Sequence, residues 1–358
     1  MSFLITLITI GYINLSSASL DILKNDFSAS LVGLSSSKAA VEEAIYAINY
    51  NPAGLSFSQK AEFYATLSNG FDNASYSYFA FGSQIGKKVF SDIAYPHIAA
   101  SFYLSDLGDI KLRTLDDYGN VTEKNINAEK DYILSLGYAE KISQQTVYIS
   151  PSVKSKFISA AGISLKYLNS KLLERYSASS LAFDAGYLGK LEDIGLNFGI
   201  SLSNTFGRIK YIGESYKLPV ILRIGLSYSR PTIMESNATL CLEYDSYITD
   251  KKNSLKAGID YTIKNSFSFR TGYRFLDDNK GLSLGISIYA LNFSLDIGTT
   301  FSSVYKYTFF SIGYKIPANE DEGSIKQKSP QLNKFKEKKA KDKTNTSIPS
   351  KGNTIIVF

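Results

Sequence analysis

Seven charged side chains fall on the polar phase of strand-like alternation: Arg223, Glu243, Asp245, Asp260, Arg270, Arg274 and Asp296. A strand sends every second side chain to one face, so cations and carboxylates spaced this way suit ion pairing across neighbouring strands or a charged ligand site. A network of ion pairs is the favoured reading. Proton-transfer and nucleophilic chemistry have little to work with. His97 is the only histidine, so a Ser-His-Asp site or a multi-histidine metal site would have to rest on it alone. It stands at a strand start in phase with Ser101 and Tyr103, which is a structural position. The lone Cys241 rules out a disulfide framework and a thiolate metal cluster. No Gly-rich phosphate loop precedes a helix. No catalytic residue, metal site or cofactor is expected.

The elements that must carry these charges alternate with period two from about residue 60 to about residue 316. Leu282, Leu284, Ile286 and Ile288 alternate with Ser283, Gly285, Ser287 and Tyr289. Leu240 and Leu242 alternate with Cys241 and Glu243, and Phe198, Ile200 and Leu202 with Gly199, Ser201 and Ser203. Such strands have one apolar and one polar face, and pattern alone leaves open whether the apolar faces meet inside a sandwich or face lipid around a barrel. Length separates the two. Most segments run about ten to fourteen residues, longer than a globular strand and suited to a tilted membrane span.

Beyond the N-terminus no run of about 18 apolar residues offers a transmembrane helix, so a membrane protein must be a closed barrel. Strand centres fall near Ala65, Tyr78, Ala100, Leu136, Gly162, Phe183, Gly199, Ile224, Leu242, Ile259, Thr271, Gly285, Ile297 and Gly313. That number is even, as bacterial barrels require. Turns at 191–193, 264–266 and 290–291 fall at one end and longer loops at 105–130, 205–216 and 248–253 at the other. The connection near 144–156 breaks the asymmetry. Glycines recur within the strands, where they relieve crowding and permit curvature. The fold class expected is all-β, a transmembrane antiparallel barrel of about fourteen strands with an N-terminal plug.

Composition agrees. Tyr 26 and Phe 22 stand against Met 2 and Trp 0, a β-prone chain in which Tyr and Phe must serve at both membrane interfaces. Residues 1–19 read as a signal peptide, with an apolar stretch from Phe3 to Leu15 and small residues at Ser17-Ala18-Ser19. The net charge of +6 sits mainly in residues 317–358, which carry nine lysines and five acidic residues. That segment is polar and non-periodic, and it reads as a disordered periplasmic tail. Lipid headgroups suit its lysines better than nucleic acid does, since only Phe335 is interleaved among them. Nucleic acid is not an expected partner.

Between the signal and the strands, residues 20–58 contain Ala39–Ala47, helix-compatible around Glu42 and Glu43, and then Asn51-Pro52-Ala53-Gly54-Leu55. Pro52 excludes Asn51 from the helical region, and Gly54 permits a tight or left-handed turn. The run from Phe27 to Leu55, ending on this motif, resembles the N-terminal signature of PorV/PorQ-type outer-membrane proteins, which are similar to the FadL family of fatty-acid channels. The blocks 131–139, 218–226 and 269–275 continue the resemblance, and Ser311-Ile312-Gly313-Tyr314-Lys315-Ile316 resembles a closing strand read by barrel assembly machinery.

The resemblance implies residence in the bacterial outer membrane, a plug over 20–58 seated by Asn51, Pro52, Ala53, Gly54 and Leu55, and a barrel over 59–316. It also implies a role in transport or secretion as a barrel that docks secretion-machinery proteins. The alternative is a FadL-like channel, in which a hydrophobic or amphipathic small molecule displaces the hatch and leaves sideways through the wall. A structural or surface-adhesion barrel is the second alternative. Outer-membrane lipids are partners in every case.

Overall fold

The computed structural model describes residues 22–41, 44–70, 74–115, 119, 121–151, 153–233, 235–276, 279–302 and 306–316. The expected signal peptide, the tail, and Glu42 and Glu43 lie outside the described residues.

Among the described residues eighteen strands are formed: β1 (Ala61–Asn69), β2 (Ser75–Gln84), β3 (His97–Asp106), β4 (Asp109–Leu115), β5 (Val121–Asn127), β6 (Glu129–Ser150), β7 (Val153–Leu172), β8 (Tyr176–Leu191) and β9 (Leu196–Thr205). There follow β10 (Arg208–Lys210), β11 (Ser215–Lys217), β12 (Ile221–Pro231), β13 (Ser236–Tyr247), β14 (Lys252–Ile263), β15 (Phe267–Phe275), β16 (Gly281–Ala290), β17 (Phe293–Ser302) and β18 (Lys306–Ile316). Fourteen of them close into one barrel, and β4–β5 and β10–β11 form separate hairpins. Every expected strand centre lies in a barrel strand. Closure is made by β1 against β18, antiparallel from Ala61↔Ile316 to Asn69↔Thr308, so no strand edge is left open around the ring.

Alternation settles which face is which. Leu242 is 54% exposed and Glu243 beside it 1%. Leu284, Ile286 and Ile288 are exposed while Ser283 and Ser287 are buried. Phe63, Leu67, Phe79, Phe81, Ile163, Leu226, Ile259 and Ile297 extend the exposed set around the ring. The apolar face therefore points outward, the reverse of a soluble sandwich. An apolar belt of this extent needs lipid against it.

Eleven barrel strands run 9 to 12 residues, but β6, β7 and β8 run 22, 20 and 16. β3 pairs only with Lys130–Ala139 of β6, so β6 and β7 continue past the rim as a hairpin paired to each other, with register shifts at Lys141/Ser143 and Tyr148/Ser150. The 144–156 stretch expected as a connection is thus mostly strand, turning at Pro151. Apolar residues at Val147, Ile149 and Val153 sustain the pairing where no turn signal interrupts it until Pro151. The turns at 192–195 and 264–266 share this end, which is the periplasmic one for a barrel with short inner turns. β4–β5 and β10–β11 lie in the long connections at the opposite end.

Residues 22–41 and 44–57 pack against the inward face of the ring. They touch β6 and β7 on one arc and β16, β17 and β18 on another, which only a segment within the barrel can do. Their regular structure is short: a helix Ala29–Val32 and 3₁₀ turns Ile45–Asn49 and Pro52–Phe57. The helix compatible with 39–47 is replaced by the later 3₁₀ turn. The backbone N–H groups of Lys38 and Ala39 bond Glu243, and that of Ile45 bonds Glu62. Donors engaged by wall carboxylates are lost to a helical ladder.

Candidate functional site

The inner wall meets the N-terminal segment through glycines that occupy the inward phase of most strands. Four cross-strand pairs stand out: Gly162↔Gly186, Gly199↔Gly225, Gly258↔Gly272 and Gly285↔Gly298. A Cβ on Gly162 would lie 2.4 Å from the carbonyl carbon of Pro52, and one on Gly186 2.0 Å from Asn51 Oδ1. At Gly298 it would meet Ala29 O at 2.1 Å. Backbone packs directly on backbone here, so any side chain would wedge the two apart. The crowding these glycines relieve comes from the enclosed segment.

Within the motif, Asn51 is extended at φ −142 and caps the 3₁₀ turn, with Oδ1 accepting from Ala53 N at 3.2 Å and Pro52 in the first turn. This matches the exclusion of a pre-proline residue from helix and the preference for Asn as a cap. Asn51 Nδ2 donates to Ala39 O (2.6 Å) and to Tyr187 O of β8 (3.1 Å), tying the turn to the wall. Pro52, Ala53, Gly54 and Leu55 are all buried. Gly54 is tight but not left-handed, since it is absent from the positive-φ glycines. A Cβ on it would meet Ala47 Cβ at 2.9 Å. Asn51→Ala is expected to cost roughly 2–3 kcal/mol, the sum of a cap and two amide bonds. Hydrogen-exchange mass spectrometry should then show exchange at residues 45–57 faster on the order of a hundredfold.

The seven charges expected on the polar phase form two networks, each joined by cross-strand register. Arg223 faces Asp245, Glu243 faces Lys256, and Lys256 faces Arg274. Lys256 Nζ lies 2.5 Å from Asp245 and 3.2 Å from Glu243, and Arg223 lies 4.0 Å from Asp245. The segment joins in through Lys38 N, which donates to Glu243 at 2.6 Å, and through Asp26, 3.0 Å from Lys38 Nζ and 3.9 Å from Arg274. Burial pushes Lys38 down to about 8 against the pull of Asp26. Burial by itself would raise Asp26, but Lys38 and Arg274 hold it well below the usual carboxylate range.

The second network centres on Arg270, 2.6 Å from Asp260, 4.0 Å from Asp296 and 2.6 Å from the Tyr289 hydroxyl. Sequence reasoning missed Lys256, Lys38, Asp26 and the Lys166–Asp184 pair at 2.6 Å. Lys256 stands in phase with Asp260, a signal that could have found it. The N-terminal residues have no strand phase to betray them.

Two spaces of about 520 Å³ flank one part of the wall. The inner is bounded by Ser30, Ala44 and Tyr46 of the segment and by Glu62, Arg270 and Asp296, and it opens at the short-turn rim beside Asn265, Leu291 and Asn292. The outer is a groove over Ala65 and Ala100, rimmed by Phe79, Phe81 and Phe102 on the lipid face. Phe63, Tyr64, Phe293 and Gly313 line both. His97, alone of its kind, is buried in β3 with both ring nitrogens unpaired. Among the described residues, no cluster of three or more His, Cys, Asp or Glu is placed to hold a metal.

Among solved structures, CymD, a monoaromatic hydrocarbon channel, aligns at TM-score 0.53 and 10% identity over 82% of this chain and 98% of that one. The toluene transporter TbuX of Ralstonia pickettii aligns at 0.49 and 10% over 79% and 98%, and the toluene transporter TodX of Pseudomonas putida at 0.46 and 11% over 77% and 93%. No family model and no curated protein sequence matches the chain. The likeness to CymD is one of fold. With its closed fourteen-strand ring and apolar exterior, the protein is a barrel of the bacterial outer membrane.

Proposed function

We propose that the protein is a FadL-like channel for hydrophobic or amphipathic small molecules, with residues 20–58 as its hatch. The observation that carries this reading is the pair of spaces on either side of the β1–β18 seam, which share Phe63, Tyr64, Phe293 and Gly313. Gly313 faces Tyr64 across the seam, and a Cβ there would meet Ser294 Oγ at 2.6 Å and the Tyr64 ring at 3.1 Å. With no side chain on Gly313, the wall is one backbone ladder backed by one tyrosine. A compound in the inner cavity is polar-bounded by Arg270, Glu62 and Asp296, and the outer groove is aromatic, so an amphipath finds a partner on each side. The hydrocarbon cargo named for CymD supports an apolar substrate class.

Filling the groove tests this. Ala65 and Ala100 face lipid, so Ala65→Phe with Ala100→Phe leaves the lumen and its ion pairs untouched. Proteoliposomes carrying the double variant are expected to take up a hydrophobic compound such as oleate or toluene at least fivefold more slowly than wild type. Equal uptake by the two proteins, or no uptake by wild type above empty liposomes, sinks the channel reading. In the latter case the docking role implied by the PorV/PorQ resemblance becomes the better one, and a stoichiometric protein partner in native mass spectrometry would mark it.

A further inference from the structure

The lipid-facing side of three neighbouring strands turns polar two rows before the long-loop end. Outward side chains of β6, β7 and β8 meet across the ladder in rows. Leu134, Tyr167 and Leu181 form one, and all three are exposed. The next row toward the rim is Tyr132, Asn169 and Ser179, and the last is Lys130, Lys171 and Ser177. Tyr132 stands 6.3 Å from Tyr167 and 6.3 Å from Phe102 of β3, which marks the depth at which an aromatic girdle meets headgroups. At and above the rings the face offers two ammonium groups, an amide and two hydroxyls.

Lys130 and Lys171 stand directly opposite each other, and both are exposed. Like charges so placed destabilise the pairing, and the nearby carboxylates relieve this on one side only. Asp106 of β3 lies 3.5 Å from Lys130, on the side away from Lys171, and it also accepts from Asn127 Nδ2 at 2.7 Å and Gly108 N at 3.0 Å. In the turn after β7, Glu174 accepts from Asn127 N at 3.3 Å, and Arg175 beside it balances its charge. Elsewhere on this rim the pattern differs. Leu282, Phe301 and Lys306 form a row across β16, β17 and β18, and its one lysine lies 5.0 Å over the Phe301 ring.

A phosphate between two ammonium groups makes charge-assisted bonds to both and removes their repulsion. Phosphate alone would need only the lysines. The amide and hydroxyls alongside and one row deeper both donate and accept, which suits sugar hydroxyls. Below them Leu134, Tyr167 and Leu181 give acyl chains an apolar bed. The long-loop end faces outward, and in a bacterial outer membrane that leaflet carries phosphorylated glycolipid.

The geometry points to a site for one phosphorylated glycolipid on the outer face of β6, β7 and β8, with a phosphate between Lys130 and Lys171 and sugar hydroxyls on Asn169, Ser177 and Ser179. The site lies outside the ring, so it goes beyond the channel reading and does not depend on what the lumen carries.

The test uses full-length protein refolded into detergent micelles free of native lipid, with one-to-one binding read by native mass spectrometry. Three probes are titrated: lipid A with two phosphates, the same lipid with both phosphates removed, and cardiolipin, which has two phosphates and no sugar ring. Wild type is expected to bind lipid A at least tenfold tighter than either of the others. Lys130→Gln with Lys171→Gln should cut the lipid A affinity at least tenfold, whereas Lys306→Gln should leave it within twofold. Asn169→Leu with Ser179→Leu should weaken lipid A at least threefold and leave cardiolipin unchanged. Each ratio between lipids is taken within one folded protein, so a change in stability does not mimic the result. Lipid A binding that survives the double lysine variant, or that needs no phosphate, overturns the site. Cardiolipin bound by wild type as tightly as lipid A overturns the glycolipid as its occupant.

Discussion

Gly199→Val is expected to give a barrel that assembles with its N-terminal segment expelled and that conducts ions steadily in planar bilayers. A Cβ on Gly199 would sit 1.8 Å from Ala39 O and 2.5 Å from the Ala39 carbonyl carbon. The clash is with Cβ itself, so no rotamer escapes it. Relief by backbone shift is blocked from the next strand, where a Cβ on Gly225 would already meet Ala39 Cβ at 3.0 Å. Overpacking of a well-filled interior costs about 1–3 kcal/mol where neighbours yield, and carbonyl against Cβ does not yield.

The strand itself tolerates the change, since valine is the better β-former. Folding and leakage therefore separate in this variant. Ile200→Val, one residue on and facing lipid, should leave conductance at the wild-type level. A folded Gly199→Val barrel that stays closed would mean that the segment is not the seal.

Lys256→Met should be the most destabilising single change in the ionic network. It removes the cation 2.5 Å from Asp245 and 3.2 Å from Glu243, both 1% exposed. Breaking a buried pair from one side leaves uncompensated charge and costs about 3–5 kcal/mol. Urea unfolding in phospholipid vesicles should register the loss as a lower midpoint at unchanged slope. Lys256→Met combined with Glu243→Gln should recover most of it, because the amide oxygen replacing the Glu243 carboxylate would still accept from Lys38 N and Ala39 N while Arg223 keeps Asp245. A loss under about 1 kcal/mol for the single variant would place these groups in contact with water.

Strand positions were legible because each strand buries its apolar face against lipid independently of its neighbours, which writes an unbroken period of two into the chain. The same logic identified the seven inward charges, since phase assigns a face before any partner is known. It could not pair them. Arg223 meets Asp245 and Arg270 meets Asp260 through register, and register depends on turn geometry and bulges as much as on pattern. Lys256 shares their phase and was equally legible. The overrunning β6–β7 hairpin read as a connection because polar residues such as Ser143, Gln144 and Gln145 blur the alternation once the strands leave the bilayer.

The residues inside the ring mark the boundary between the two kinds of information. The sequence by itself determined a fourteen-strand outer-membrane barrel, an apolar exterior, and a turn at Asn51-Pro52, because each follows from local backbone preference or from the face a residue takes. Only the tertiary structure decided that residues 22–41 and 44–57 pack on the inward face of the ring, that glycines on facing strands meet their backbone, that Phe27 lies among three tyrosines, and that Gly313 carries no side chain beside Tyr64. These are contacts between residues tens to hundreds of positions apart, set by closure of the ring, and no period in the chain records them.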